Sequence, residues 1–209
     1  MIEYPSIINS SKAPRKPCIA FVKYDGSNIR VKYTQKRGFD LFGSKNCLID
    51  ESHPHLGEVV SVFTKSHADP LTKLFKKLYP NEREITVFGE FLGPSSFAGI
   101  HVVGEPKEFV MFDVMICGKQ NKFVHPKDFV KIYAGEVRTA EVVYEGNMND
   151  QLIADVRAGK YPVNEGVVCK GMEKSGAFRG GIWMCKIKTQ AYLNKLKVRF
   201  GDEWEKYGE

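Results

Sequence analysis

The chain has 209 residues, 43% hydrophobic and 27% charged, enough apolar material to bury one sizeable core. No apolar run approaches the roughly 20 residues that span a bilayer, and Met1-Ile2-Glu3-Tyr4-Pro5 lacks the basic start and apolar centre of a signal peptide, so the chain reads as intracellular. Its net charge of +6 permits a polyanionic partner without requiring one.

In chain order, residues 1–17 hold Pro5, Pro14, Pro17 and Ser10-Ser11 and read as an extended lead-in. The apolar run 18–22 predicts a strand ending on Lys23. Ile29, Val31 and Tyr33 alternate with polar residues and predict a second strand. Asp25-Gly26 between them predicts a hairpin turn in which glycine takes a positive φ. Taken alone, this stretch is equally a surface hairpin with a solvated lysine. Gly38 to Gly43 predicts a third strand that carries Ser44-Lys45 to its end. Residues 56–65 and 71–78 have helical spacing, with Pro70 at the start of the second helix and Pro80 at its end. Residues 84–92 predict a strand with Glu90 near its end, followed by a loop rich in glycine and serine.

Residues 109–117 predict a strongly apolar strand and 118–122 a turn. Short helices are predicted over 126–133 and 149–158, with a strand over 138–144 between them. Residues 164–170 and 182–188 read as paired strands joined by a glycine-containing loop. A final amphipathic helix over 191–200 presents Leu193, Leu196 and Phe200 on one face. Strands and helices alternate irregularly with no internal repeat, which predicts an α+β fold with largely antiparallel sheets.

The cysteines Cys18, Cys47, Cys117, Cys169 and Cys185 are odd in number and scattered, with no Cys-x-x-Cys pair, which argues against structural disulfides and a zinc site. Residues 186–199 carry Lys186, Lys188, Lys195, Lys197 and Arg199 and no acidic residue, a run that suits either a solvated face or a phosphate partner. A lysine attacks only as the neutral amine, and its unperturbed pKa is about 10.4. A nucleophilic Lys23 would therefore need burial or nearby positive charge. Lys186 and Lys188 are two apart and project to one face of a strand. Facing Lys23, they would lower its pKa and neutralise phosphates; alone, Lys-Ile-Lys reads as a solvent-facing edge strand. Glu90 at the end of an apolar strand needs water, a partner or a ligand, and Phe112 by itself reads as core.

The stretches Lys23-Tyr24-Asp25-Gly26-Ser27-Asn28, Val87-Phe88-Gly89-Glu90, Val110-Met111-Phe112-Asp113, Glu165-Gly166-Val167-Val168-Cys169-Lys170 and Trp183-Met184-Cys185-Lys186-Ile187-Lys188 resemble, in order, the motifs of the covalent nucleotidyltransferases. These are the polynucleotide ligases and mRNA capping enzymes. The Lys-x-x-Gly-x-Asn form of the first stretch is most similar to the ATP-dependent RNA ligases of phages and related enzymes. Asp25 and Arg30 also resemble the Lys-x-Asp-Gly pattern of DNA ligases and capping enzymes.

The resemblance implies the nucleotidyltransferase (ligase adenylation-domain) fold, two largely antiparallel sheets enclosing a nucleotide cleft, in a single domain over residues 1–209. It implies that Lys23 takes AMP from ATP as lysyl-AMP and that Lys186 and Lys188 contact the phosphates. Lys45 stands where relatives often place a phosphate-binding arginine, without arginine's bidentate fork. The resemblance also assigns Val22, Asn28, Arg30 and Lys170 to the nucleotide, Arg30 to its ribose or phosphate. It gives Glu90 the ribose hydroxyls, Phe112 a stacking role on the base and Glu165 a metal ion, with ATP and Mg2+ or Mn2+ as cofactors.

In the implied reaction the AMP moves to a 5′-phosphate end and a 3′-hydroxyl displaces it. The implied partner is nucleic acid with such ends, RNA preferred, in a nicked duplex. A monomer in the cytoplasm of a bacterial or phage-infected cell is expected. About twenty residues follow Lys188, and no OB-fold or other C-terminal domain is recognised there, which argues against a capping enzyme and leaves open a minimal ligase, a fragment or one part of a complex. Two alternatives stand beside this: a minimal ATP-dependent DNA nick ligase with the same reactive groups, and a non-catalytic nucleic-acid-binding relative whose Lys23 is not modified by ATP.

Overall fold

The computed structural model describes residues 1–93, 106–172 and 179–208. Most of the glycine- and serine-rich loop after Leu92, and most of the glycine-containing loop expected between the last two strands, lie outside the described residues. In chain order the strands are β1 (Ile8–Asn9), β2 (Pro17–Lys23), β3 (Ser27–Thr34), β4 (Gly38–Gly43), β5 (Leu48–Ile49), β6 (Glu84–Leu92), β7 (Glu108–Cys117), β8 (Lys122–Phe123), β9 (Val142–Asn147), β10 (Gly166–Met172) and β11 (Ile182–Lys188). The α-helices are α1 (Glu58–Phe63), α2 (Asp69–Leu78), α3 (Pro126–Tyr133), α4 (Asp150–Arg157) and α5 (Gln190–Phe200). The chain forms two compact units, Met1–Tyr4 with Asp25–Thr139 and Pro5–Tyr24 with Ala140–Glu209.

The first unit carries an antiparallel sheet in the order β5-β4-β3-β6-β7-β8. Alternation along β3 decides its two faces. Ile29, Val31 and Tyr33 are fully buried, while Asn28, Arg30 and Lys32 take the other side. The apolar side packs on α1 and α2, with the Tyr33 ring 5.2 Å from Phe75 and the Phe63 ring 5.1 Å from Phe109. α1 and α2 are joined without a break by a π turn over Thr64–Ala68, where two separate helices were expected. Pro70, in the first turn of α2, lacks the N–H that an uninterrupted α-helix needs, and the wider π turn absorbs that break. His67 in this turn is buried against Phe63 and Phe109, and its burial pushes the imidazole pKa down.

The second unit carries a sheet in the order β1-β11-β10-β2-β9, antiparallel except where β1 runs beside β11. One face is a core of Cys18, Ala20, Val167, Cys169, Trp183, Cys185 and Ile187, covered by Leu152 and Val156 of α4. Asn149 caps α4 by accepting the Leu152 N–H, as the sequence pattern of that helix requires. Three of the cysteines are thus small hydrophobes in this core. The residues of opposite parity, Phe21, Lys23, Val168, Lys170, Lys186 and Lys188, share the other face.

The hairpin expected at Asp25-Gly26 does not form. β2 pairs with β10 and β9, β3 pairs with β4 and β6, and the chain passes from one unit to the other between Tyr24 and Asp25. Nor does Gly26 take a positive φ. A Cβ there would stand 2.5 Å from the Phe91 carbonyl oxygen and 2.9 Å from Glu90 Cγ, so glycine serves a close approach. A period of two reports that a segment is a strand but not which strand it pairs with. The strand expected over 138–144 forms later, as β9, and the two-residue strands β1, β5 and β8 are too short to show any period. α5 buries Tyr192 and Leu196, while Leu193 and Phe200 are half-buried.

Gly166 on β10 sits between β2 and β11 with φ +155, and a Cβ would lie 2.0 Å from the Ile187 carbonyl oxygen. No rotamer relieves a clash with backbone. Gly166→Ala is expected to destabilise the fold by about 3 kcal/mol, the upper range of overpacking. Gly118→Ala, where nothing lies within 4 Å, should stay within about 0.5 kcal/mol of the parent. Denaturant midpoints at constant m-value measure both, and equal midpoints would refute the steric account.

Candidate active site

The second unit gathers Lys23, Lys188 and Glu165 around β10. In the register of the sheet, Gly166 lies opposite Lys23 on β2 and opposite Lys188 on β11. With only a hydrogen between them, both lysines reach the carboxylate of Glu165. Lys23 Nζ is 2.9 Å and Lys188 Nζ 3.2 Å from the same oxygen, Oε1. Glu165 is 3% exposed, and its second oxygen, Oε2, is buried without a hydrogen-bond partner. A buried carboxylate survives only when paired, and here two ammonium groups do the pairing.

Lys188 also donates to the Tyr207 carbonyl at 2.7 Å and stands 4.8 Å from the centre of the Tyr192 ring. Burial pushes the Lys188 pKa down, the Glu165 carboxylate works against that shift, and the charges of Lys23 and Lys186 add to it. Lys186 is half-buried on the same face. Lys170 is almost fully buried, its ammonium 4.7 Å over the Phe21 ring. Val22 belongs to the opposite parity, and its N–H donates to the Glu141 carbonyl at 2.8 Å. This face thus gathers Lys23, Lys170, Lys186, Lys188 and Glu165, an excess of positive charge around one carboxylate.

The first unit holds a second group on the face of its sheet opposite the helices. Asn28 and Glu90 are register partners on β3 and β6, and Glu90 Oε1 accepts the Gly26 N–H at 3.1 Å. Arg30 lies opposite Phe88 and is 8% exposed. Its Nε and Nη1 have no hydrogen-bond partner, and its ion-pair partner is Glu3 at 3.8 Å. Bare Gly43 makes room for it, since a Cβ there would be 3.2 Å from Arg30 Nε. Phe112 is the extra residue of a β-bulge, because Phe88 pairs with Asp113 and Gly89 with Met111. Bulges re-aim a side chain, and Phe112 is half-buried with its ring edge-on to Tyr4 at 5.1 Å. Lys45 is exposed in the turn between β4 and β5, closed by the Ser44 N–H on the Cys47 carbonyl at 2.9 Å.

Sequence reasoning missed two sets of residues. Tyr4 packs against Phe88, Phe112 and Phe123, and its hydroxyl donates to the buried carboxylate of Asp113. Burial, then the Asp113 and Glu90 charges, hold the Tyr4 phenol far above its usual pKa. Asp113 in an apolar strand was a signal that a partner must exist; nothing local pointed to Tyr4. Tyr192 and Tyr207 around Lys188 had no sequence signal either.

Residues 16–188 match the model of the RNA ligase family. No protein with curated annotation matches the chain. Among solved structures, a Naegleria gruberi RNA ligase mutant in its apo form is similar over 93% of this chain and 58% of its own, with 17% identity and a TM-score of 0.65. Another mutant of that ligase, with ATP and Mn, gives the same coverage, identity and TM-score. The form with pyrophosphate is similar over 95% of this chain and 59% of its own, with 17% identity and a TM-score of 0.63. The chain therefore spans less than two thirds of these relatives' length, and at such identities the likeness is one of fold. The family match runs from residue 16 to residue 188, most of the sequence, and the protein belongs to the RNA ligase family.

Proposed function

We propose that this protein is an ATP-dependent polynucleotide ligase, most like an RNA ligase, and that residues 1–209 act as one adenylation domain. The observation that carries this is Lys23 and Lys188 on a single buried carboxylate, with Lys186 and Lys170 on the same face. Lys23 is the nucleophile. It gives up its proton to solvent, attacks the α-phosphate of ATP and forms a P–N bond as the P–O bond to the β-phosphate breaks and pyrophosphate leaves. Lys186 and Lys188 neutralise the phosphates. Val22, Asn28, Arg30, Lys45, Glu90, Phe112 and Lys170 serve the nucleotide. Glu90 is assigned to the ribose hydroxyls and Phe112 to the base. The two hydrogen-bond-free nitrogens of buried Arg30 suit an oxyanion.

A magnesium or manganese ion fits Glu165 through Oε2, the oxygen that neither lysine uses. Among the described residues no group of three or more His, Cys, Asp or Glu could hold a metal. Water and phosphate would supply the other ligands, as magnesium prefers. When bound, the ion would offset negative charge building on the phosphates. The Naegleria relatives were solved with ATP or AMP and Mn, which supports these ligands here. Labelled ATP should leave one AMP covalently on the chain; a chain that takes none would return it to the non-catalytic alternative.

The proposed substrate is an RNA-ended break in a duplex, sealed between a 3′-hydroxyl and a 5′-phosphate by a monomer inside the cell. Among the described residues no helix is long and apolar enough to cross a membrane. Pairing already aligns the two ends, so nicked duplexes should outpace free single strands. With two or three phosphate contacts, binding should fall by about tenfold or more between 50 and 200 mM salt. Joining assays on RNA- and DNA-ended nicks and on single strands measure this. Salt-insensitive joining of single strands would overturn the binding argument, and preference for all-DNA nicks would favour a DNA nick ligase.

A further inference from the structure

The family match ends at Lys188, and the chain that follows folds back onto that lysine. α5 begins after Thr189, whose hydroxyl accepts the Tyr192 N–H. Gly201, at φ 53, ends the helix, and a 3-10 turn over Gly201–Lys206 brings the chain round. The turn is anchored in three ways. The Phe200 and Tyr207 rings pack at 4.3 Å, Lys197 Nζ lies 4.5 Å over the Trp204 ring, and the Tyr207 and Gly208 N–H groups both donate to the Trp204 carbonyl at 3.0 Å.

These anchors deliver the Tyr207 backbone carbonyl to Lys188 Nζ at 2.7 Å. An ammonium has three N–H bonds. Around that of Lys188 stand Glu165 Oε1 at 3.2 Å, the Tyr207 carbonyl, and the Tyr192 ring at 4.8 Å. A lysine stem is flexible and does not aim itself. Two of these groups, Tyr192 and the Tyr207 carbonyl, lie beyond the residues the family match covers.

We propose that the C-terminal turn is a positioning element of the active site, in which the Tyr207 carbonyl holds Lys188 against Glu165 in the arrangement that meets the phosphates. This rests on the ligase reading. The carbonyl is neutral, so it fixes the ammonium without adding a second counter-charge to that of Glu165. The opposite possibility is a blocking latch that ATP must displace.

The test uses the full chain. Tyr207→Ala removes the ring that seats the carbonyl and should slow AMP labelling at saturating ATP about tenfold, the scale of one hydrogen bond to a charged group. Tyr207→Phe keeps the ring and should restore the rate. Faster labelling by Tyr207→Ala would establish the latch instead, and an unchanged rate would remove the proposal. Should Tyr207→Ala fail to fold, Lys188→Ala asks the same question from the other side. The amides of residues 201–208 should then exchange at least about tenfold faster with deuterium, as expected when an anchoring hydrogen bond is lost. Unchanged exchange would mean that the contact holds nothing. Exchange needs no ATP, so it reports on the turn even if the wild-type chain takes no AMP and the ligase reading falls.

Discussion

Lys23→Ala is expected to carry no AMP after incubation with ATP and magnesium, while the wild-type chain gains one AMP mass and releases one pyrophosphate. The change is all-or-none because the proposed nucleophile is removed, and two other lysines of that face are held by other groups. Lys188 is tied to Glu165 and Tyr207, and Lys170 is buried over Phe21. Mass spectrometry with peptide mapping reads the outcome. Equal AMP on the alanine variant would remove Lys23 as nucleophile. AMP on Lys186 would show that the attacking lysine had been misassigned within the same site. Removal of Lys23 leaves Glu165 paired through Lys188, so the variant should remain folded, which a thermal melt checks.

Glu165→Ala should lower adenylylation by at least about a hundredfold, the cost of losing a well-placed electrostatic group. Glu165 Oε1 holds both Lys23 and Lys188 within 3.2 Å. Without it the two ammonium groups lose their shared anchor and repel each other. Oε2, the proposed metal oxygen, is lost as well. Glu165→Gln separates the contributions: it keeps shape and hydrogen-bonding capacity but not charge. Rates near wild type for the glutamine variant would mean that shape alone matters. A folded Glu165→Ala at the wild-type rate would make Glu165 a structural residue. Glu90→Ala, on the other unit, should show a loss of similar size that saturating ATP partly relieves, because its proposed partner is the ribose.

The strands and helices that carry the site were legible in the sequence because their signals are local. β6 and β11 and the helix α3 fall where alternation and punctuation placed them. Lys186 and Lys188 share a face for the same reason, since a period of two needs no partner strand to act. The order of the reactive stretches gave the family resemblance, and the match over residues 16–188 agrees with it.

Pairing and long-range contact were decided by the tertiary structure alone. Asp25-Gly26 looked like a hairpin, yet β2 and β3 enter different sheets, because strand partners are chosen by burial of whole faces. Glu165 was legible as a carboxylate before a glycine. That it holds Lys23 and Lys188 on one oxygen follows from β10 lying between β2 and β11. Tyr4 meets Asp113 across 109 positions, and Tyr207 meets Lys188 across 19. Neither pair leaves a periodic trace, since a hydrogen bond between distant residues depends on the path of the backbone and not on the spacing of side chains along it.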